Sequence, residues 1–407
     1  MGEPIHRARR RTVALLIESS RAYARGVLRG IARFAHAHGQ WAILHQEWTL
    51  NDPAPPWLKK GVCDGVIAQV ETRALFRSLR KLGIPIVDVR GLHASFRIPA
   101  VGTDDRATAL MAADHLLSRG FREIGFCGLA GVEYSEHRRD HFVSYMQGKG
   151  RQPLVYEGIA APRHLTTSDK ESNAQMHEAE LSAWVRSLPL PIGIMACNDI
   201  RGRQLLSACR TVKRNVPDQI AVIGVDNDEV LCDLAEPPLS SVIPATDQIG
   251  YEAATKLNNL MEGIAVPPEE TRFAPIGIVT RLSSDVLAVK DPLVAEAVRY
   301  IRQHASDGIN VDDVLNHLGR VDATMTSRST LNRRFTEFLG RSPKQEIIRV
   351  RMERVSRLLR ETDYTLAQIA PMVGLEHAEH LLTLFKKTMG MKPGEFRSRV
   401  GGQKGEE

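Results

Sequence analysis

Near residue 285 the hydrophobic rhythm of this chain changes, and the change confines its two parts to different kinds of fold. Between residues 12 and 285, short and nearly continuous Val/Ile/Leu runs alternate with longer amphipathic segments. The runs Val13–Ile17, Trp41–His45, Gly65–Val70, Pro85–Val89, Ile124–Cys127, Ile192–Ala196 and Ile220–Val225 predict strands. A run that is apolar on both faces suits a strand covered on both sides. Helices are expected over Gly26–Ala37, Arg73–Leu82, Ala107–Ser118, Asp140–Lys149, Ala179–Arg186 and Arg201–Cys209. This β-α-β-α order implies parallel sheets with helices outside. In such folds a ligand lies beyond the carboxyl ends of the strands. After residue 285 the strand signals stop. Asp291-Pro292 supplies an N-cap and a favoured first helical residue, and helices are expected to about Met389.

A chain of 407 residues exceeds one ordinary core. The expected organisation is an α/β domain over 12–285, a linker over 286–291 and an all-α domain over 292–399, followed by a disordered GGQKGEE tail. No stretch reaches the ~18–20 apolar residues of a membrane span. The N-terminal arginines resemble a signal n-region, but the run Val13–Ile17 is shorter than the ~7–15 residues of an export signal's core. The protein is therefore expected in the cytoplasm, away from membranes. The five cysteines Cys63, Cys127, Cys197, Cys209 and Cys232 form no C-x-x-C pair and read as buried free thiols. Net charge is +6, and the segment Arg328–Arg360 alone holds ten Lys or Arg against three Glu. That local concentration suits phosphate neutralisation, as it would also suit a solvated basic helix.

The C-terminal helices can be phased from their caps. Asn310-Val-Asp-Asp313 opens one with an N-cap and first-turn acids, and Val311, Val314, Leu315 and Leu318 form its apolar stripe. From about Arg328 a second helix turns Leu331, Phe335, Phe338 and Leu339 inward, leaving Ser329, Asn332, Arg333 and Thr336 outward. Arginine suits guanine, asparagine adenine, and hydroxyls either. Ser342-Pro343-Lys344-Gln345 and Thr365-Leu-Ala-Gln368 are capping-box patterns. They open a basic helix over about Pro343–Arg360, burying Ile348, Met352, Val355 and Leu359, and a short helix over Leu366–Ala370. The final helix is expected to bury Ala378, Leu381, Leu382 and Phe385 and to show Glu379, His380, Thr383, Lys386 and Lys387 outward.

The stretch IAPMVGLEHAEHLLTLFKKTMGMKPGEFR, Ile369 to Arg397, closely resembles the signature of AraC/XylS-type regulators. The stretch SRSTLNRRFTEFLGRSP, Ser327 to Pro343, resembles their first recognition helix. The resemblance covers roughly 100 residues. It implies two helix-turn-helix units, joined by the Pro343–Arg360 helix, that place their recognition helices in successive major grooves of double-stranded DNA. Arg328 joins the outward face as a DNA contact. Two departures stand out. The turn Gly319–Thr326 is about five or six residues longer than is usual in that family, and Pro371 falls where the short helix should continue, as though to end it early.

The N-terminal part resembles LacI-type and periplasmic-binding-protein-like cores. The likeness runs through Val101-Gly-Thr-Asp-Asp105, Ala113–Gly120, Ile194–Asp199, Val216–Asp226, Pro238–Val242 and Arg281–Ser284. It implies two α/β lobes closing on a small polar ligand. Sugar hydroxyls call for carboxylates, amides and guanidinium forks at strand ends. Asn198 and Asp226 each follow a strand, although Asn198 or Asp199 could equally cap the next helix. Arg138 lies four residues before Phe142, as the family's cleft arginine does, with Arg139 beside it as a solvated alternative. Ser20, Arg21 and Tyr23 would line the opposite lobe.

About a dozen residues precede the first strand, too few for an N-terminal helix-turn-helix, which puts DNA binding at the other end. A LacI-like sensor followed by an AraC-type reader, with the run SSRAYAR from Ser19 to Arg25, is similar to the xylose-operon activator family. That resemblance implies xylose or a related pentose as effector, activation through RNA polymerase, and a homodimer. A hexose or purine effector and a sugar-transport receptor remain as alternatives. Gly125–Gly131 fits neither phosphate-loop spacing, and neither G-x-S-x-G nor H-E-x-x-H occurs, so an enzyme is not expected. His377 and His380 have no third ligand at a fitting spacing. No metal or cofactor is expected.

Overall fold

The computed structural model describes residues 10–38, 41–91, 96–158, 165–175, 178–285, 291–321 and 327–400. Most of the expected linker, most of the lengthened turn and the C-terminal tail lie outside the described residues. Among the described residues, no helix is long and apolar enough to cross a membrane.

The chain first lays down β1 (Arg11–Leu16), α1 (Ala22–His38), β2 (Trp41–His45), β3 (Gly65–Ala68), α2 (Arg73–Arg80), β4 (Ile86–Asp88) and β5 (Ala100–Thr103). It continues through α3 (Asp105–Leu117), β6 (Glu123–Cys127), α4 (Glu133–Gly148), β7 (Leu154–Tyr156), α5 (Thr167–Gln175), α6 (Glu178–Ser187), β8 (Ile192–Ala196), α7 (Asp199–Thr211), β9 (Ile220–Val225), α8 (Glu229–Asp233) and β10 (Ser240–Ile243). It then returns through α9 (Thr246–Met261), β11 (Glu270–Phe273) and β12 (Gly277–Val279).

Two six-stranded sheets result. One runs β11-β5-β4-β3-β1-β2 and is parallel throughout. The other runs β12-β10-β9-β8-β6-β7 and is parallel except for the edge strand β12. Each sheet anchors one lobe. The chain passes between lobes three times, after β5, after β10 and between β11 and β12. Helices α1 and α9 pack back to back in lobe 1. Their approach requires glycine: a Cβ on Gly30 would stand 2.0 Å from the Asp247 carbonyl oxygen, and one on Gly250 2.0 Å from that of Val27.

The remaining elements are all helical: α10 (Pro292–His304), α11 (Val311–Val321), α12 (Arg328–Leu339), α13 (Pro343–Glu361), α14 (Leu366–Met372), α15 (Ala378–Met389) and α16 (Pro393–Val400). They form two cores. One gathers Val298, Ile301, Val314, Leu318, Leu331 and Phe335; the other gathers Met352, Val355, Leu359, Ile369, Leu381, Phe385 and Phe396. Helix α13 contributes to both. Its capping box forms as expected, as does that of α14. Pro371 does not break α14, which runs one residue beyond it. It removes the one i→i−4 hydrogen bond that residue 371 would have donated to the Ala367 carbonyl, a residue before the helix ends in any case. Leu382 was expected inside but is 37% exposed. It stands one residue, or about 100°, from Leu381, and the inward stripe is Leu381, Leu384 and Phe385.

Candidate functional site

A cavity of about 140 Å³ lies between the lobes. Its polar walls come from residues just past strand ends: Glu18 after β1, Gln69 after β3, Arg90 after β4, Asn198 after β8 and Asp226 after β9. The placement follows from the parallel topology, which points every such loop at the other lobe.

On lobe 1, buried Asp88 accepts the backbone N–H groups of Val70, Arg90 and Gly91 at 3.0, 2.9 and 3.0 Å. Burial outweighs these bonds and lifts its carboxyl to about 6. Arg90 faces Glu71 at 2.6 Å. Burial pushes the Tyr23 phenol up to about 12.

On lobe 2, Arg138 donates from Nε to Asp105 at 2.7 Å and from Nη1 to the Cys197 carbonyl at 2.6 Å. Its guanidinium lies 4.9 Å over the Tyr134 ring. Burial works against the Asp105 charge, but Arg138 holds that carboxyl below its ordinary value. Asn198 satisfies both of its sequence readings. Its Oδ1 caps α7 by accepting the Arg201 N–H at 2.8 Å. Its Nδ2 points into the cleft, donating to Tyr134 Oη at 2.9 Å and to Glu171 Oε1 at 2.8 Å. Asp226 has φ +106°, which side chains other than glycine rarely adopt. Its N–H donates to the Val242 carbonyl at 3.0 Å. Burial raises its carboxyl, and burial together with Asp226 raises that of neighbouring Asp199.

The lobes are latched across the cavity. Arg21 donates to Glu171 at 2.8 Å. The Ala22 N–H donates to Asp228 at 3.3 Å, and Asn51 Nδ2 to Asp169 at 3.0 Å. Thr167 donates to Glu71 from both N and Oγ1, at 2.8 and 2.7 Å. Three of these lobe 2 partners (Thr167, Asp169 and Glu171) belong to α5, which covers the cleft.

The helical domain presents a second candidate surface. Helices α11 and α12 form one helix-turn-helix unit, α14 and α15 the other, and the outward faces of α12 and α15 are free of core contacts. Buried Asp291 caps α10 through the Leu293 and Val294 N–H groups and accepts Arg334 from α12 at 2.8 Å, which fixes the first recognition helix against the start of the domain.

Residues 113–284 match the family model of a periplasmic binding protein-like domain, and residues 321–399 match that of a helix-turn-helix domain. The xylose operon regulatory protein of Haemophilus influenzae is 33% identical over 395 residues, which cover 95% of this chain and 97% of the relative. This chain belongs to the xylose operon regulatory protein family. The Escherichia coli K12 protein of the same name is 31% identical over 96% of this chain and 97% of its own length. A solved structure of the xylose-binding transcription activator XylR superposes with a TM-score of 0.60 at 29% identity, covering 95% of this chain and 98% of that one. A LacI family regulator from Enterococcus faecium with bound ribose shares the sensor fold, with a TM-score of 0.53 at 20% identity over 68% of this chain and 99% of that one.

For this member of the xylose operon regulator family, the structure brings Arg21, Tyr23, Arg138, Asn198 and Asp226 together around one cavity. Ser20 does not join them. It is exposed, and its hydroxyl donates to Glu18 at 2.7 Å instead. Arg139 pairs with Asp140 and Glu157, away from the cleft. Sequence reasoning missed Glu18, Arg90, Asp228 and Glu171. The segment TSDKESNAQ around Glu171 has no apolar stripe, so nothing in it signalled a helix. In the helical domain Arg328, Ser329, Asn332, Arg333 and Thr336 are exposed on α12, and Glu379, His380, Thr383, Lys386 and Lys387 on α15. Arg328 is held by Asp312 of α11, and the Thr383 hydroxyl is bonded to the Glu379 carbonyl at 2.9 Å.

Proposed function

We propose that this family member is a sequence-specific transcription activator whose sensor takes D-xylose or a related pentose between its lobes. One observation carries the choice of ligand class. Each of the cleft arginines Arg21, Arg90 and Arg138 already faces a carboxylate, respectively Glu171, Glu71 and Asp105. An anionic ligand would have to displace one of those carboxylates. A neutral polyol needs donors and acceptors side by side, which these pairs and Asn198 supply. The strained Asp226 backbone adds to this reading, since such conformations cluster at ligand clamps. The pentose is favoured by the names of the relatives. Sugar favours the closed lobes and so shifts the population that binds DNA. We take 12–285 as the sensor and 292–399 as the reader. We expect a cytoplasmic homodimer that recruits RNA polymerase and performs no catalysis.

Calorimetry against D-xylose, D-ribose, D-glucose and adenine, with promoter-DNA titrations in the presence and absence of each, tests this reading. D-xylose should saturate one site per chain without turnover and change DNA affinity or bending. No binding by any of the four, or identical DNA affinity and bending at saturation, would sink it. Arg333 is exposed and only loosely paired with Glu337, at 3.7 Å. Arg333→Ala should relax discrimination at one base pair by about 1–3 kcal/mol. An equal loss over all sequences would assign it to a phosphate instead.

A further inference from the structure

The helical domain rests on lobe 2 and on one of the three lobe crossovers. Ile276 lies in the crossover between β11 and β12, a segment that any rotation of the lobes must bend. Its N–H donates to the Ile243 carbonyl at 2.8 Å, at the crossover that follows β10. Its side chain packs against the apolar core of the second helix-turn-helix unit. Arg119, just past the end of α3, is 1% exposed. Its Nε donates to the Ser284 carbonyl at 2.8 Å and its Nη2 to Thr280 Oγ1 at 3.2 Å, just past β12. The same Nη2 lies 3.6 Å from Glu353 of α13. Glu353 accepts Arg349 at 2.5 Å, Arg349 holds Glu346 at 2.6 Å, and Glu346 holds Arg341 at 2.5 Å. A ladder of alternating charges thus runs from the sensor along the helix that joins the two units. Arg302 of α10 pairs with Asp285 at 2.9 Å, and Arg122 lies 5.9 Å over the Phe338 ring, tying the first unit to the same lobe.

We propose that Ile276, Arg119 and Glu353 form the contact through which lobe closure reaches the DNA reader, and that it acts on the second helix-turn-helix unit through α13. This rests on the regulator reading above. The contact joins a hinge segment to a recognition core, so lobe rotation changes the packing of α13 and with it the angle between α12 and α15. The first unit, tied to the lobe 2 surface by Arg302 and Arg122, serves as the fixed side.

The test uses full-length protein, D-xylose as probe and a labelled promoter duplex. Glu353→Gln removes the charge with little change of shape, at a side chain 44% exposed; Ile276→Ala removes the apolar anchor. Both variants should bind D-xylose as the wild type does. The ratio of DNA dissociation constants without and with D-xylose should move toward one by about 2- to 30-fold. A wild-type ratio in both variants overturns the proposal. Hydrogen exchange on the wild type gives a reading that needs no variant: amides over 346–359 should change protection when D-xylose is added. Protection that changes around the cleft but not in α13 overturns it as well. A wild type that binds neither sugar nor DNA removes the regulator reading and this proposal together, and that outcome is seen before any variant is made.

Discussion

Arg138→Ala is expected to cost about 3–5 kcal/mol of sensor stability and to abolish sugar binding. The magnitude comes from what stays behind. Asp105 keeps its charge in a wall where its side chain is 12% exposed, with its guanidinium partner gone. The Cys197 carbonyl loses a donor, and Tyr134 loses the cation over its ring. Chemical unfolding and calorimetry together check the expectation. Arg138→Lys keeps the charge but loses the fork that serves Asp105 and Cys197 at once, and should fall between. Combining Arg138→Ala with Asp105→Asn should recover much of the stability but none of the binding. A loss below about 1 kcal/mol, the size of an exposed pair, would mean that water reaches Asp105.

The second large effect is expected in α13. Glu346 is fully buried between Arg341 and Arg349. Burial opposes its charge, but the two arginines hold its carboxyl down at about 2. Glu346→Ala leaves two guanidinium groups facing a void and should cost about 3–5 kcal/mol. The pH dependence has a definite sign. A carboxyl held below its ordinary value stabilises the fold above that value and loses the contribution as pH falls toward 2. Over that window the wild type should lose on the order of 3 kcal/mol from this group. Urea unfolding of wild type and Glu346→Gln between pH 5 and 2.5 checks it: the variant should start less stable and fall less steeply. Parallel acid limbs would show that other carboxyls carry the whole effect.

Most of this arrangement was legible in the residues. Strands such as Ile220–Val225, buried on both faces, announced themselves as unbroken apolar runs. The helix-turn-helix units were fixed by caps and apolar spacing that the structure reproduces at Asp291, Ser342 and Thr365. Three of the strands missed were of another kind. Ser240–Ile243 starts with two fully buried serines. They are satisfied by Ser283, Ser284 and Asp199, partners too distant in the chain for any local pattern to show. Leu154–Tyr156 and Glu270–Phe273 are short edge strands with exposed or half-buried side chains, so they lack a buried run. The cleft divided in the same way. Asn198 and Asp226 could be named because they directly follow recognisable strands, although Glu18 and Arg90, placed the same way after β1 and β4, were missed. Glu171 could not, because its role comes from where a polar helix folds back over the cavity.

The three passages of the chain between lobes limit how the sensor can be taken apart. Lobe 1 is assembled from strands before residue 104 and from the stretch spanning α9 and β11, while lobe 2 takes everything between and then β12. Neither half is a continuous piece of sequence. A single cut or a gene fusion inside 105–245 yields two fragments that each lack strands from a sheet. Grafting this sensor onto another reader therefore means transplanting the whole stretch from β1 to β12 as one indivisible block.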